Sequence, residues 1–334
     1  MLVIGMLNGL DSMESHVLDA LRQLRIDVEY FCARPGIAAL PVIAQRVLTK
    51  ITNTWLREPE RLVEPRLLAA VDRFAPEMIL VILGNQLSPK TIDRIRARTS
   101  APIVCWCQDQ MTTLGRQYLL GAEYNAVFVK DRYMQDLFSR MIRSTRFYYL
   151  AEACNPRVHR SLELSEQDRA RYGCDVMIAG SLYYYRQEIL QALESEFELQ
   201  VWGRKPDWLS YRLKTHHIHR EVLEDEKVRA ATAARVALNS LHFAEVDGLN
   251  CRAFELAGCG AFQLCTARPV LAQHFVPGVE IETFESVAEL IEKIRYFLQH
   301  QDEAAAIARR GQLRAHKDHT YERRLDEIFR ITFQ

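Results

Sequence analysis

The segment Asn250–Phe262, NCRAFELAGCGAF, puts a basic side chain where a helix should begin. Asn250 is a natural N-cap, and Gly258 or Gly260 ends the turn. The first turn of a helix carries positive partial charge, which favours acids and disfavours bases. Arg252 in that turn makes sense if an anion occupies the helix end. The guanidinium fork and the first-turn N–H groups would then converge on a diphosphate. Glu255, three residues on, shares the same helical face, and its carboxylate can accept hydrogen bonds from both vicinal hydroxyls of a ribose. Asp247 stands eight residues before Glu255, on a loop bent at Gly248, where an acid can hold sugar hydroxyls. The competing reading is an Arg252–Glu255 surface pair on an ordinary amphipathic helix.

A second anion signal lies upstream in CDVMIAGSLYYYRQEIL. A strand runs into Gly180-Ser181, and a helix opens near Tyr184–Arg186. A Gly-Ser turn lets the backbone approach a phosphate, and Arg186 adds a fixed charge. The same residues would also make a tight strand-to-helix turn with a surface arginine. Trp202-Gly203 in QVWGRKPDW follows another strand, where a nucleobase would lie or where a tryptophan packs in the core. Asn239 ends the strand below the diphosphate loop. Near the amino terminus, NGLDSMESH offers Asn8, Gly9, Asp11 and His16 on a first strand-to-helix loop. An inverting group transfer needs a general base beside the acceptor hydroxyl. His16 and Asp109 (in CWCQDQ) are the candidates, the alternative for His16 being a histidine on a helix surface.

These loops need strands and helices to hold them. Short apolar strands are expected at Leu2–Leu7, Val28–Phe31, Met78–Leu83, Ile103–Cys107 and Ala126–Val129, separated by helical patterns such as Ser12–Leu24 and Pro89–Ala97. Continuous apolar runs are the mark of buried parallel strands. The polar stretch Glu152–Gly173 breaks the pattern and reads as a connection. A second round follows, with strands at Asp175–Ala179, Phe197–Trp202, Val236–Asn239 and Ala261–Leu264, and helices at Arg186–Glu194, Asp225–Ala234 and Val287–His300. The alternation predicts an α/β chain of two Rossmann-like, doubly wound domains whose loops line a cleft between them. The expected boundaries are 1–155, 156–318 and a last amphipathic helix in 319–334 that returns toward the first domain.

The chain has 334 residues, with Lys+Arg and Asp+Glu both at 43, so its formal net charge is zero. That balance argues against a nucleic-acid partner but not against one small anion held locally. The eight cysteines form no CxxC pair, and no HxxxH spacing accompanies them, so no metal site is expected. They read as reduced, which points to the cytoplasm. The P-loop pattern is absent, and IGMLNGLDS lacks GxGxxG, which removes the main support for an NAD enzyme. The opening MLVIG reads as a strand rather than a signal peptide. PVIAQRVLTKITNTWLREPERL mixes apolar residues with Arg46, Lys50, Arg57 and Arg61. It reads as a surface helix, with peripheral contact to the inner face of a membrane as the alternative.

Taken in order, four pieces resemble the nucleotide-binding half of GT-B glycosyltransferases, in the group that includes the spore maturation protein CgeB. They are DVMIAGSLYYYRQEIL, LNSLHF…NCRAFELAGCGAFQL, HFVPGVEIETFESVAELIEKIRYFL and ARRGQLRAHKDHTYERRLDEIF. APIVCWCQDQ and FVKDRYMQDLF extend the resemblance to nearly the whole chain. It implies the GT-B fold and transfer of a hexosyl or deoxyhexosyl group from a UDP-, GDP- or TDP-sugar, without an obligatory metal. The acceptor would be a glycan, a lipid-linked sugar or a protein. The donor would rest on the C-terminal domain, with Arg186 matching the family's arginine near its strand-to-helix turn and Glu255 the second acid of a Glu-x7-Glu motif. Asp247 stands where that motif has its first Glu, a shorter reach that leaves open whether configuration is retained. The alternatives are a nucleotide-sugar-binding protein without transfer and a GT-B-type epimerase.

Overall fold

The computed structural model describes the chain apart from residues 7–8, 10, 34–61, 84–85, 112–113, 115–116 and 204–217. Asn8 and nearly all of the amphipathic stretch from Pro41 to Leu62 therefore lie outside the described residues. Two compact units are present: Met1–Ala151 together with Leu325–Gln334, and Glu152–Arg324.

In the first unit the described elements are β1 (Leu2–Gly5), α1 (Met13–Gln23), β2 (Glu29–Cys32), α2 (Glu64–Phe74), β3 (Ile79–Ile82) and α3 (Pro89–Arg96). They continue with β4 (Ile103–Cys107), α4 (Tyr118–Gly121), β5 (Ala126–Val129), α5 (Arg132–Met141) and β6 (Phe147–Tyr149). The second unit begins with α6 (Glu166–Tyr172), β7 (Val176–Ala179), α7 (Tyr184–Leu193), β8 (Leu199–Trp202) and β9 (Ile218–His219). It continues with α8 (Glu224–Ala233), β10 (Val236–Asn239), α9 (Cys251–Cys259), β11 (Gln263–Thr266) and β12 (Glu282–Phe284). The last helices are α10 (Val287–Gln299), α11 (Gln301–Asp318) and α12 (Tyr321–Thr332), the last running across the boundary between the units.

Each unit holds one six-stranded parallel sheet, ordered β2-β1-β3-β4-β5-β6 in the first and β12-β11-β10-β7-β8-β9 in the second. The central strands are the expected apolar runs: LVIG, ILVI, IVCWC, AVFV, VMIA and VALN are buried along their whole length. Their side chains alternate between the two faces of the sheet. In the second unit Val176, Ile178, Val236 and Leu238 join one apolar cluster, while Met177, Ala179 and Ala237 join another.

The strand order reverses direction beside β1 in the first sheet and beside β7 in the second. At such a switch point neighbouring loops diverge at the carboxyl ends of the strands and leave a crevice for ligand. In the second unit the two flanking strands are β7 and β10, paired Val176 to Val236. Their loops carry the Gly-Ser turn and the Asp247–Arg252 segment.

Three strands, β6, β9 and β12, fall outside the sequence expectation. Each is two or three residues long and lies at a sheet edge, where one-sided burial leaves no long apolar run. The polar connection Glu152–Gly173 contains α6, which a Ser165–Asp168 capping box initiates. Its seven residues are too few and too polar to show a helical period. None of the described helices is long and apolar enough to cross a membrane.

Candidate functional site

The site in the second unit begins with backbone geometry. Gly180 ends β7 with φ +121°, a conformation that side-chain-bearing residues rarely adopt. Its N–H donates to the Trp202 carbonyl at 2.8 Å. A Cβ built on Gly203 would fall 2.0 Å from the Gly180 carbonyl oxygen, so the loops after β7 and β8 touch backbone to backbone. A Cβ on Gly180 would fall 2.5 Å from Arg252 Nη1 and 3.4 Å from Arg186 Nη1. The space of the missing side chain is thus bordered by two guanidiniums.

The two arginines differ in what they bind. Arg186 is buried, and its donors are used: Nε on Ser240 Oγ at 3.0 Å, Nη2 on the Ser240 carbonyl at 2.9 Å, and Nη1 on the Ser181 carbonyl. It is therefore not the surface arginine of the blander reading. It ties the loop after β7 to the end of β10. Burial, then the charge of Arg252, push its pKa down to about 10, so it is still a cation at neutral pH. Arg252 is half-buried, and its Nε is buried with no hydrogen-bond partner among the described residues. Two like charges held together cost free energy that an anion between them would offset. Ser181 is exposed at the rim.

The helix that carries Arg252 starts as its sequence dictates. Asn250 is the N-cap of α9, its Oδ1 accepting from the Ala253 N–H at 3.2 Å. Asn239 Nδ2 donates to Asn250 Oδ1 at 3.1 Å, and Asn250 Nδ2 donates to Asn239 Oδ1 at 2.9 Å. This reciprocal amide pair is buried and fixes the helix start to the end of β10. Gly260 closes the helix in the left-handed conformation, φ +75°.

Glu255 is buried one turn in. Its Oε2 accepts from Lys227 Nζ at 3.2 Å, and its Oε1 lies 3.8 Å from His159 Nε2. His159 Nδ1 accepts from the Asn155 N–H at 3.0 Å, which places the proton of a neutral ring on Nε2, toward the carboxylate. The Arg252–Glu255 surface pair is not formed. Asp247 is half-buried, and its Oδ1 accepts from the Val270 N–H at 2.8 Å, stapling the loop after β10 to a 3₁₀ turn at Pro269–Gln273. Glu245, two residues earlier, is the buried acid of that loop.

Trp202 lies in the core: it is 4% exposed and its ring meets Tyr172 at 5.6 Å between centroids. Almost none of the ring is left for a nucleobase, so the packing reading describes it.

In the first unit the loop after β1 brings Asp11 and His16 together, with His16 Nε2 3.1 Å from Asp11 Oδ1. Both side chains are buried, so His16 is not on the helix surface. Ser12 caps α1 through a capping box with Ser15, and Glu14 Oε1 accepts from the Met6 N–H at 3.0 Å, which shapes the same loop. Gly9 is exposed with φ +146°. Asp109 is exposed after β4.

Sequence reasoning missed Lys227, His159 and Glu245. EDEKVRAATA reads as an ordinary charged helix, and only the fold shows that its lysine points inward at Glu255.

Residues 186–330 match a family described as glycosyl transferase-like. The whole chain superposes on sucrose-phosphate synthase from Thermosynechococcus elongatus with TM-score 0.71 and 11% identity, covering 99% of this chain and 98% of that one. Anabaena HepE in complex with UDP-glucose gives TM-score 0.62 at 13% identity, covering 99% and 98%. T4 phage β-glucosyltransferase gives 0.58 at 11%, covering 100% and 99%. The fold is GT-B. In GT-B terms, the arginines around Gly180 sit in the C-terminal Rossmann-like unit and the Asp11–His16 pair in the N-terminal one. Among curated proteins none matches the sequence significantly.

Proposed function

We propose that this GT-B chain is a metal-independent glycosyltransferase of the CgeB-like group. It moves a hexosyl or deoxyhexosyl unit from a UDP-, GDP- or TDP-sugar to a glycan, lipid-linked or protein acceptor. The supporting observation is Arg252: a guanidinium in the first turn of α9, beside Gly180 and the buried Arg186, with a buried Nε that has no hydrogen-bond partner among the described residues. A donor diphosphate would accept from Arg252 and from the first-turn N–H groups, close to the Gly180-Ser181 backbone. Arg186, Asn239 and Asn250 act as positioning residues that hold the two loops. Glu255, oriented by Lys227, accepts the ribose hydroxyls.

On the acceptor side, at the head of the first unit, Asp11 holds His16 in one orientation, the arrangement an imidazole needs to take a hydroxyl proton. Asn8 and Gly9 belong to the same loop, and Asp109 is the second candidate base. The eight cysteines are unpaired, in keeping with a reducing cytoplasm. The Asp247 staple favours one second reading, a protein that binds a nucleotide sugar without transferring it. Measured turnover separates the two.

Titration calorimetry with UDP, GDP, TDP and NAD, with and without magnesium, tests the donor site. One of the nucleoside diphosphates should bind without the metal. Arg252→Ala should weaken it roughly 10- to 100-fold, since a charge-assisted hydrogen bond contributes about 1.5–3 kcal/mol. Unchanged affinity in that variant, or binding of NAD alone, would overturn the assignment.

A further inference from the structure

The carboxyl edge of the first sheet carries polar atoms that neither the fold nor the Asp11–His16 pair uses. β3, β4 and β5 are neighbours there, paired Ile82 to Trp106 and Cys107 to Val129. The segments that follow them hold Gln86, Gln108 and Arg132 in turn. Gln86 Oε1, Gln108 Oε1 and Arg132 Nε are each buried, and none has a hydrogen-bond partner among the described residues. Buried polar atoms are nearly always satisfied, so a row of them on adjacent loops calls for a partner. The carboxyl edge is also where a parallel sheet binds its ligands.

These loops are held in place. Gln86 Nε2 donates to the Ile82 carbonyl at 3.1 Å, which fixes its amide. Gln110 Nε2 donates to Asp131 Oδ2 at 2.9 Å, tying the loop after β4 to the start of α5. Asp131 caps that helix, its Oδ1 accepting from the Tyr133 N–H at 2.9 Å. Both oxygens of the Asp131 carboxylate are therefore engaged within the fold. Arg132 Cζ lies 4.6 Å from the Tyr149 ring centre, so an aromatic face braces the guanidinium.

The set prescribes its occupant. Amide oxygens accept from hydroxyl groups. An arginine fork donates to the paired oxygens of a carboxylate or a phosphate. A neutral sugar would satisfy the glutamines and leave Arg132, and a bare anion would do the reverse. A hydroxyl-bearing ring that carries an anion satisfies both. Asp109 is exposed on the same loop as Gln108, so a ring held there lies near that candidate base.

We propose that the carboxyl edge of β3, β4 and β5 is a subsite for a saccharide acceptor bearing a carboxylate or phosphate group. The proposal rests on the glycosyltransferase reading and narrows its acceptor to an anionic sugar, on the unit that does not hold the donor arginines.

Glucuronate, galacturonate, glucose 6-phosphate and mannose 6-phosphate are the probes, with glucose and inorganic phosphate as controls. Calorimetry uses the full chain, with and without UDP, GDP or TDP. At least one anionic sugar should bind about tenfold or more tightly than either control. Arg132→Ala should weaken it roughly 10- to 100-fold and Gln108→Leu about fivefold, while nucleotide affinity stays within about twofold. Thermal melts check that the variants fold, and Gln108→Leu, at a half-buried loop position, carries the test if Arg132→Ala does not. Preference for the uronates or for the sugar phosphates identifies the anion. Three results would overturn the proposal. The first is anionic-sugar binding that is absent, or indifferent to the folded variants. The second is inorganic phosphate bound as tightly as the sugar phosphates, which would make the edge an anion site alone. The third is glucose bound as tightly as the anionic sugars, which would leave Arg132 without a role. If a nucleotide binds and no anionic sugar does, this subsite fails and the glycosyltransferase reading stands. If an anionic sugar binds and no nucleotide does, the reading fails and the subsite stands.

Discussion

At the switch point of the first sheet, the loop after β1 holds an acid and an imidazole 3.1 Å apart. At that of the second, the loops after β7 and β10 hold two guanidiniums around a glycine with φ +121°. Both sheets are parallel and six-stranded, so topology does not distinguish these sites. The side chains on the loops do. A carboxylate beside a histidine suits proton transfer. Two cations beside a helix start suit binding of an anion. The proposed division of labour between the two units rests on a handful of residues on each, and damaging one while reading the other tests it.

The largest expected effect is on the first loop. Asp11→Asn and His16→Asn should each lower kcat by roughly 10²- to 10⁴-fold, the usual contribution of general base catalysis. Nucleotide affinity by calorimetry should not change. If kcat survives both, His16 is not the base, and a retaining reaction, which needs none, becomes the better account.

The second unit should show a pH dependence of its own. His319 packs against Phe254 of α9 at 5.3 Å, donates from Nε2 to the His274 carbonyl at 2.7 Å, and accepts at Nδ1 from Arg324 at 3.1 Å. Burial, then the Arg324 charge, lower its pKa from the usual 6.5 of an imidazole to about 4. Well above pH 6.5 the ring is neutral whether the chain is folded or not, and its contribution to stability does not change with pH. As pH falls from 6.5 toward 4, the unfolded chain binds a proton that the native state refuses. Stability should drop by up to roughly 3 kcal/mol over that window. Urea unfolding between pH 7 and 4 measures it, and His319→Phe should flatten the curve.

Gly180→Ala comes next. Its Cβ would displace the Arg252 guanidinium and strain the backbone, at a cost of about 1–3 kcal/mol in stability. Nucleotide affinity should fall as far as in Arg252→Ala, because one guanidinium is misplaced by either change. Affinity that survives would detach the glycine from the arginine. The smallest effect on nucleotide affinity is expected at Trp202. Trp202→Phe should cost roughly 1–3 kcal/mol in stability through the cavity it leaves and leave nucleotide affinity intact, since the ring is built into the core. A large affinity loss would restore the base-stacking role.

The parts of this site legible in the sequence are those specified within a few residues. Asn250 capping α9, Gly260 ending it and Arg252 standing in its first turn all follow from helix rules applied to one short stretch. The central strands were equally legible, because burial on both faces writes an unbroken apolar run. Partnerships between segments distant in the chain were not. Arg186 and Ser240 are 54 residues apart, and Lys227 and Glu255 are 28 apart. No local pattern marks these pairs, so Arg186 read as a surface charge or donor ligand rather than as a tie between two loops. Trp202 and His16 show the same limit: whether a ring is exposed depends on what the rest of the chain lays over it.

One feature of the chain's path bears on its synthesis. Glu152–Arg324 is a continuous stretch, whereas the first unit comprises Met1–Ala151 and the distant Leu325–Gln334. On the ribosome the usual order, in which an amino-terminal domain folds as soon as it emerges, cannot run to completion here. The later unit has all of its residues first, and the earlier one waits for Leu325–Gln334 to emerge.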